Sequence, residues 1–388
     1  MRAKFSLLFS IVFLIFALAP AFCADAEETG ARVIFIGDVM AHQEQINAAK
    51  RDGAWDFAPQ FRRVKPLLED SLVVANLETV FAGKDRGFAG YPSFNTPDEL
   101  AGELVDFGVD VVTLANNHIL DRGFAGAART IETLDGVGIM WTGLGNGDIG
   151  PGEPLIFERA GFRWAFVNYT YGSNNPIPSS GDISLNVISD KAVTEGLRRA
   201  RLASPDVIAA FFHWGNEYQL VPTKRQRDLA ELSVREGADI VIGTHPHVLQ
   251  PLEVTSSDRG FALVAYSLGN FVSNQRTLPR ERSVILAVDV ERAPGGGARL
   301  SRVSVAPTQV LSAMRGGRRF IEVVYAGESQ RFNHSGVTKA EIKKTRLAGR
   351  AVLDFLGAAS SPDDEGFYTL WNADFPDILP VKRRESPQ

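Results

Sequence analysis

Short apolar runs rich in Val, Ile, Leu and Phe recur along the chain, and most stop abruptly on polar residues. Residues 31–36 run into Gly37-Asp38, residues 72–75 into Asn76-Leu77-Glu78, and residues 109–115 into Asn116-Asn117-His118, with Asp121 and Gly123 just beyond. Residues 163–170 carry Asn168 and Tyr169 at their end, and residues 206–212 lead into His213-Trp214-Gly215-Asn216-Glu217. Residues 239–242 end in Gly243-Thr244-His245-Pro246-His247, and residues 261–266 in Ser267-Leu268-Gly269-Asn270-Phe271. Apolar runs of this length, bounded by Gly and turn residues, read as buried strands. Residues 283–290 read as an outer or return strand.

Helical stretches lie between these runs. One segment places Trp55, Phe57, Phe61 and Val64 on an apolar face. Thr96-Pro97-Asp98-Glu99 has the form of a helix start, with Thr96 as cap, Pro97 at the first position and Glu99 closing a capping box; Gly108 stops it. Residues 124–134, closed by Gly136, and residues 191–202 form two more, and Thr223 with Gln226 repeats the capping pattern for a helix reaching Glu236. Alternating strands and helices predict an α/β body over residues 30–330. The spacing from Gly108-x-Asp110-x-Val112 to His118 equals that from Gly237-x-Asp239-x-Val241 to His247, a faint echo of two halves. From residue 335 the text changes to a basic helix (338–356), a Ser, Pro and Asp-rich turn and an aromatic tail. Residues 335–388 thus read as a C-terminal helical extension for packing or for a partner.

Composition narrows the picture. With 388 residues, 45% of them hydrophobic and 22% charged, the chain is globular and long enough for one large or two ordinary domains. A net charge of -5 leaves no general basic surface, which argues against a nucleic-acid partner. Residues 1–24 differ from the rest: Arg2 and Lys4 precede an apolar run (5–19), then Pro20 and small residues. That is the layout of a secretory signal, or of an anchor if it is not cleaved. The protein is therefore expected to be exported, in the periplasm or cell envelope, and to touch a membrane only if the segment stays uncleaved. Cleavage would remove two positive charges. Cys23 is the only cysteine, so the mature body has no disulfide.

Candidate chemistry sits at the strand ends, where open α/β sheets place their sites. Five of the six histidines (His42, His118, His213, His245 and His247) lie at or just past predicted strand ends, beside Asp38, Glu78 and Asn117. Imidazoles and carboxylates without a thiolate suit Mn, Fe or Zn. His245-Pro246-His247 holds two imidazoles one residue apart, for two adjacent ions or for one ion and the substrate. The set exceeds one tetrahedral shell, which points to two divalent metal ions about 3.5–4 Å apart. His118 is assigned to proton transfer or leaving-group stabilisation, with Asp121 orienting it or capping the next helix. Glu217 is a substrate contact or a carboxylate supporting His213, and Asn270 a supporting or turn residue.

These motifs, in this order, resemble the bacterial capsule synthesis protein CapA family, which is implicated in poly-γ-glutamate synthesis or export. The resemblance covers roughly residues 31–290. That family is in turn similar to the calcineurin-like metallophosphoesterases, which implies a four-layer αββα sandwich with a dinuclear site. Carried over, the resemblance makes Asp38, Glu78, Asn117, His213, His245 and His247 the metal set and His118 catalytic; beside it, His42, Asn116, Glu217 and Asn270 are candidates for supporting or substrate-contacting roles. Two positions depart from the calcineurin-like pattern. Met40 stands where that pattern has a His, with His42 available two residues on, and Glu78 replaces an Asp. Two functions follow as expectations. One is a metal-dependent hydrolase acting on a phosphoester or an amide-linked anionic envelope polymer. The other is a non-catalytic polyanion-binding or export factor in an envelope biosynthesis complex, aided by Arg315, Arg318 and Arg319.

Overall fold

The computed structural model describes residues 30–177, 181–329, 331–332 and 335–374. The segment read as a signal or anchor, with Cys23, lies outside them, as does His334. No helix among the described residues is long and apolar enough to cross a membrane.

The first part of the chain gives β1 (Gly30–Val39), α1 (Gln43–Ala49), β2 (Leu72–Leu77), α2 (Glu99–Phe107), β3 (Val111–Thr113), α3 (Gly123–Val137) and β4 (Met140–Thr142). The middle gives β5 (Leu155–Arg159), β6 (Phe162–Thr170), α4 (Asp190–Leu202), β7 (Val207–His213), α5 (Lys224–Arg235) and β8 (Ile240–Thr244). Then come β9 (Leu252–Ser257), β10 (Gly260–Ala265), β11 (Asn270–Val272), β12 (Arg282–Arg292), β13 (Ala298–Arg315) and β14 (Arg318–Tyr325). The chain closes with α6 (Lys339–Leu356) and β15 (Tyr368–Asn372). A nine-stranded sheet runs β14-β13-β12-β1-β2-β3-β4, with β11 beside β1 and β15 beside β13, and a six-stranded sheet runs β9-β10-β8-β7-β6-β5.

β7 shows why both faces of the smaller sheet are covered. Val207, Ala209 and Phe211 enter the core shared with the larger sheet, whereas Ile208, Ala210 and Phe212 pack with Val193 and Leu197 of α4 and Leu229 of α5. Successive side chains point to opposite faces, so an uninterrupted apolar run is what a strand buried on both sides requires. Phe211 meets Phe35 of β1 across the seam at 5.8 Å. Leu104 and Phe107 of α2 and Ile131 and Leu134 of α3 bury against the larger sheet. The result is the four-layer αββα arrangement. The central strands β1, β2 and β3 pair in parallel, as do β6, β7, β8 and β10.

Several local expectations are corrected. The capping box at Thr96 does not form: α2 starts at Glu99, and Thr96 Oγ1 instead bonds Thr79 Oγ1 at 2.6 Å. α3 runs to Val137 and ends on Gly138 with φ 81°, not at Gly136. The aromatic segment around Trp55 is a two-residue hairpin (Lys50–Arg51, Ala54–Trp55) and one helical turn, Ala58–Phe61, where Pro59 and Pro66 prevent a longer helix. β12 is an interior strand, antiparallel to both β1 and β13. Beyond residue 335 the chain is more than a helix. α6 has a full Thr338/Glu341 capping box, and β15 then pairs with β13 inside the main sheet.

Candidate metal centre

Asp38 is delivered by an irregular turn of register at the end of β1. A Cβ at Gly37 would stand 1.9 Å from the Gly269 carbonyl oxygen, and that carbonyl accepts the Asp38 N–H at 3.0 Å. Only glycine allows this approach. Glu78 follows β2, its N–H held by Val39 O at 3.0 Å. After β3, the Asn116 amide donates to Leu77 O at 2.8 Å and accepts the His118 N–H at 3.1 Å. Asn116 is thus the residue that shapes the turn presenting Asn117 and His118.

The smaller sheet supplies the imidazoles. His213 is the last residue of β7. His245 and His247 follow β8 with φ of 92° and 56°, a left-handed backbone that costs a non-glycine residue roughly 1–3 kcal/mol. Gly243 lets Trp214 lie across this turn: a Cβ there would be 2.3 Å from Trp214 Nε1, which donates to Tyr266 O at 2.9 Å.

The two sets of strand ends interlock. His213 Nε2 lies 2.8 Å from Asn117 Oδ1, and His247 Nδ1 lies 2.9 Å from Asp38 Oδ2. Glu78 Oε1 stands 3.8 Å from His213 Nε2 and 3.6 Å from His247 Nε2. The Asn76 amide bonds both carboxylates, Asp38 Oδ1 at 2.8 Å and Glu78 Oε2 at 3.2 Å. Two donor groups, Glu78/His245/His247 and Asp38/Glu78/His213, each have ligand atoms within 4.8 Å of one another, and Glu78 belongs to both.

The donor set fits divalent cations. Two ligands about 2.1 Å from one ion, at tetrahedral or octahedral angles, stand about 3.0–3.4 Å apart. The Asn117–His213 and Asp38–His247 spacings, 2.8 and 2.9 Å, fall just short of that range, at hydrogen-bond distance. Glu78 Oε1 and His245 Nδ1 are both buried without a hydrogen-bond partner. An orphaned buried polar atom of this kind normally costs about 1–3 kcal/mol. Burial, then the charge of Asp38, pushes the Glu78 carboxyl well above its usual range. Burial and neighbouring imidazoles push His213 well below the usual histidine value and His245 down to about 3. Both trends follow first from burial: the carboxyl lacks the counter-charge that a cation would supply, and the imidazoles are held neutral, with lone pairs able to ligate one.

His118 stands beside this cluster. Its Nδ1 lies 2.8 Å from Asp121 Oδ2, which also accepts the Phe94 N–H at 2.7 Å. Asp121 makes no helix cap, because α3 begins at Gly123 behind Arg122. With Nδ1–H held by the carboxylate, Nε2 is the nitrogen left to exchange a proton. The Phe94 ring packs edge-on against His118 at 4.7 Å and against His42 at 5.3 Å.

Other candidates sit outside the two donor groups. His42 Nδ1 accepts the Asn274 N–H at 3.3 Å, so the ring closes a loop near His118. Asn270 donates to His247 O, Gln275 Oε1 and Arg280 O, fixing the turn behind the imidazoles. Glu217 is exposed at the rim. Arg315 pairs with Glu341 at 3.2 Å and so is not an open anion patch. Three residues outside the motifs, Asn174, Asn175 and Tyr171, also reach the site, as does Thr244 within one of them. Asn174 Nδ2 lies 3.4 Å from His118 Nε2, and Asn175 donates to Asp121 Oδ1 at 3.3 Å. Tyr171 lies 4.7 Å from the His245 ring and Thr244 Oγ1 3.0 Å from His213 Nδ1. Ser173-Asn174-Asn175 follows the end of β6, and that position is the available signal.

Residues 32–275 match the family model described as bacterial capsule synthesis protein PGA_cap. Among curated relatives, capsule biosynthesis protein CapA of Bacillus anthracis is 29% identical over 272 residues, covering 67% of this chain and 63% of that protein. PGA biosynthesis protein CapA of Bacillus subtilis (strain 168) is 30% identical over 255 residues, covering 62% of this chain and 63% of that protein. The chain thus matches less than two thirds of either relative's length. Among solved structures, a 5'-nucleotidase precursor from Thermus thermophilus superposes with a TM-score of 0.43 at 14% identity, covering 84% of this chain and 58% of that one.

Proposed function

The chain belongs to the bacterial capsule synthesis protein PGA_cap family, and on that premise we propose that it is an exported metal-dependent hydrolase acting on an anionic polymer of the cell envelope. The observation that carries this reading is the buried, partnerless Glu78 Oε1 between two imidazoles, next to the His118–Asp121 pair. A carboxylate oxygen is the costliest kind of buried polar atom to leave without a partner, and a cation held by the surrounding imidazoles would satisfy it.

In this reading Asp38, Glu78, Asn117, His213, His245 and His247 hold two divalent cations, Mn, Fe or Zn. Such ions supply charge that polarises a substrate oxygen and lowers the pKa of water to about 7. The protein's own residues do the rest. Asn76 and Thr244 fix the rotamers of the carboxylates and of His213. Asp121 keeps the proton of His118 on Nδ1, so that Nε2 faces the reacting group and passes a proton to or from the leaving oxygen or nitrogen. Asn174 Nδ2 stands 3.5 and 3.4 Å from the two nitrogens of that ring. The scissile bond is a phosphoester or an amide, since both develop negative oxygen charge that the site would stabilise. Export rests on the composition of residues 1–24, and a part in capsule-polymer biosynthesis rests on the names of the relatives.

A second reading, a non-catalytic polyanion binder, draws support from Met40. A thioether stands where the calcineurin-like pattern has a nitrogen ligand, and His42 lies outside both donor groups. Incubating the purified Mn²⁺-loaded protein with a generic phosphodiester and with a γ-linked glutamate oligomer, beside His118→Ala, separates the two. Turnover that falls about 10²–10⁴-fold in His118→Ala with metal content unchanged supports the hydrolase. Absence of turnover in metal-loaded wild type overturns it in favour of the binder.

A further inference from the structure

Around the mouth of the cluster the chain sets three exposed tyrosines. Tyr91 lies 6.3 Å from the His118 ring, Tyr171 4.7 Å from His245 and Tyr218 6.2 Å from His247. Tyr218 differs from the other two. It is a bulky residue held at φ 66°, in the same left-handed region as His245 and His247. Its N–H donates to Pro246 O at 2.7 Å, which ties it to the turn between those two imidazoles. Such strain in an aromatic residue persists only where the surroundings over-determine it.

The strained ring carries a cation. The Arg280 guanidinium carbon sits 3.3 Å from the Tyr218 ring centroid. The Arg280 backbone is pinned as well, its carbonyl accepting from Asn270 Nδ2 at 3.0 Å while the same amide bonds His247 O at 3.3 Å. One asparagine therefore positions both His247 and Arg280. Among the described residues the Arg280 guanidinium has no carboxylate partner. Glu281, the next residue, is turned away to Lys344. The neighbouring arginine at the site, Arg122, is spent on the Phe94 and Ser93 carbonyls. The rest of the mouth is acidic, with Glu217 beside Tyr218 and Glu78, Asp38 and Asp121 behind it. Without metal, a polyanion approaching this surface meets repulsion unless a fixed cation offsets it. A planar guanidinium stacked on a ring keeps its donor edge available, in the geometry that grips a carboxylate with two parallel hydrogen bonds.

We propose that Arg280, seated on Tyr218, is the specificity-determining residue that receives a substrate carboxylate flanking the bond held at the metal cluster. The assignment rests on the hydrolase reading for the word substrate, but the recognition itself is a binding event and is read without turnover. The probe is a short γ-linked glutamate oligomer, titrated calorimetrically into wild type, Arg280→Gln and Arg280→Lys, with Mn²⁺ and again after chelation. A version of the oligomer with its carboxylates converted to amides, and inorganic phosphate, are titrated alongside.

Arg280→Gln is expected to weaken the oligomer about 10- to 100-fold in both metal states, the scale of a lost charge-assisted bidentate contact. Arg280→Lys keeps the charge and loses the fork, so it should recover only part of that affinity. The amidated oligomer should bind wild type and Arg280→Gln equally weakly. Oligomer binding that is unchanged in Arg280→Gln, or undetectable in wild type, overturns the proposal. Equal losses for the acidic and amidated oligomers overturn it too, since they assign Arg280 to packing. A loss confined to inorganic phosphate makes the recognised group a phosphate and overturns the carboxylate assignment. Arg280-dependent binding without turnover of any substrate would sink the hydrolase reading alone and leave this one standing.

Discussion

Glu78→Gln should stabilise the metal-free protein and destabilise the metal-loaded one, and that reversal of sign is the sharpest consequence of the site. Without metal, Glu78 is fully buried and its Oε1 has no partner. Burial and Asp38 already oppose its charge. An amide removes the ionisable group and offers a donor to His247 Nε2, 3.6 Å away, while its oxygen faces the N–H of His213. The gain should be on the order of 1 kcal/mol. With metal, the same change deletes the one carboxylate shared by both donor groups. Excess cation at about 1,000 times its Kd stabilises a protein by about 4.1 kcal/mol, and a roughly 100-fold loss of affinity cuts this to about 1.4. At about 2.1 cal/mol/K per residue, the unfolding entropy of a 388-residue chain is about 0.8 kcal/mol/K. Mn²⁺ should therefore raise the wild-type Tm by about 5 °C and that of Glu78→Gln by less than about 2 °C. Thermal unfolding of both proteins, with chelator and with Mn²⁺, reads the four values. Equal metal-induced shifts in the two proteins would refute the shared role of Glu78, and a lower metal-free Tm in the variant would refute the account of its burial.

Gly37→Ala should cost at least about 2–3 kcal/mol, because its Cβ would press on the backbone oxygen of Gly269, which cannot move without breaking the Asp38 N–H bond; denaturant titration measures it, together with reduced metal loading. Asn168→Ala should cost about 2–3 kcal/mol by chemical unfolding, since its side chain accepts from Ala115 N at 2.7 Å and donates to Phe211 O at 3.3 Å, tying the two sheets together. Metal-free protein should lose stability on acidification from pH 6.5 towards 4. Burial, then His247 and His118, depresses His42 to about 4, so the unfolded chain takes up the proton first and the stability held above pH 6.5 falls through that window. Titrating urea stability across that range in wild type and His42→Gln checks it, and an unchanged slope in the variant would contradict it.

Much of this is legible in the sequence because burial and chemistry leave marks at fixed positions. Parallel strands buried on both faces must be continuous apolar runs, so β1, β2, β6, β7, β8 and β10 stand out, and a polar residue at the end of such a run is conspicuous. That is why Asp38, Glu78, Asn117, His118, His213, His245 and His247 stand out together. Short or amphipathic strands at the periphery, such as β4, β9 and β15, carry no such run and leave no comparable mark. Capping at Thr96 fails for a related reason. The local pattern fits a helix start, but a buried partner at Thr79 competes for the same hydroxyl.

What the chain alone determined is which residues are candidates for the chemistry and that each lies at or just past the end of a strand, since those facts follow from side-chain type and from the period of burial. Which of them meet was decided only in three dimensions. The contacts that make the site, Asn117 to His213 and Asp38 to His247, cross from one sheet to the other and join residues 96 and 209 positions apart. No local propensity encodes such a pairing, and it exists because the shared core aligns the strand ends of both sheets. The same holds for Arg280 and Tyr218: each is an ordinary loop residue until the fold stacks one on the other beside His247.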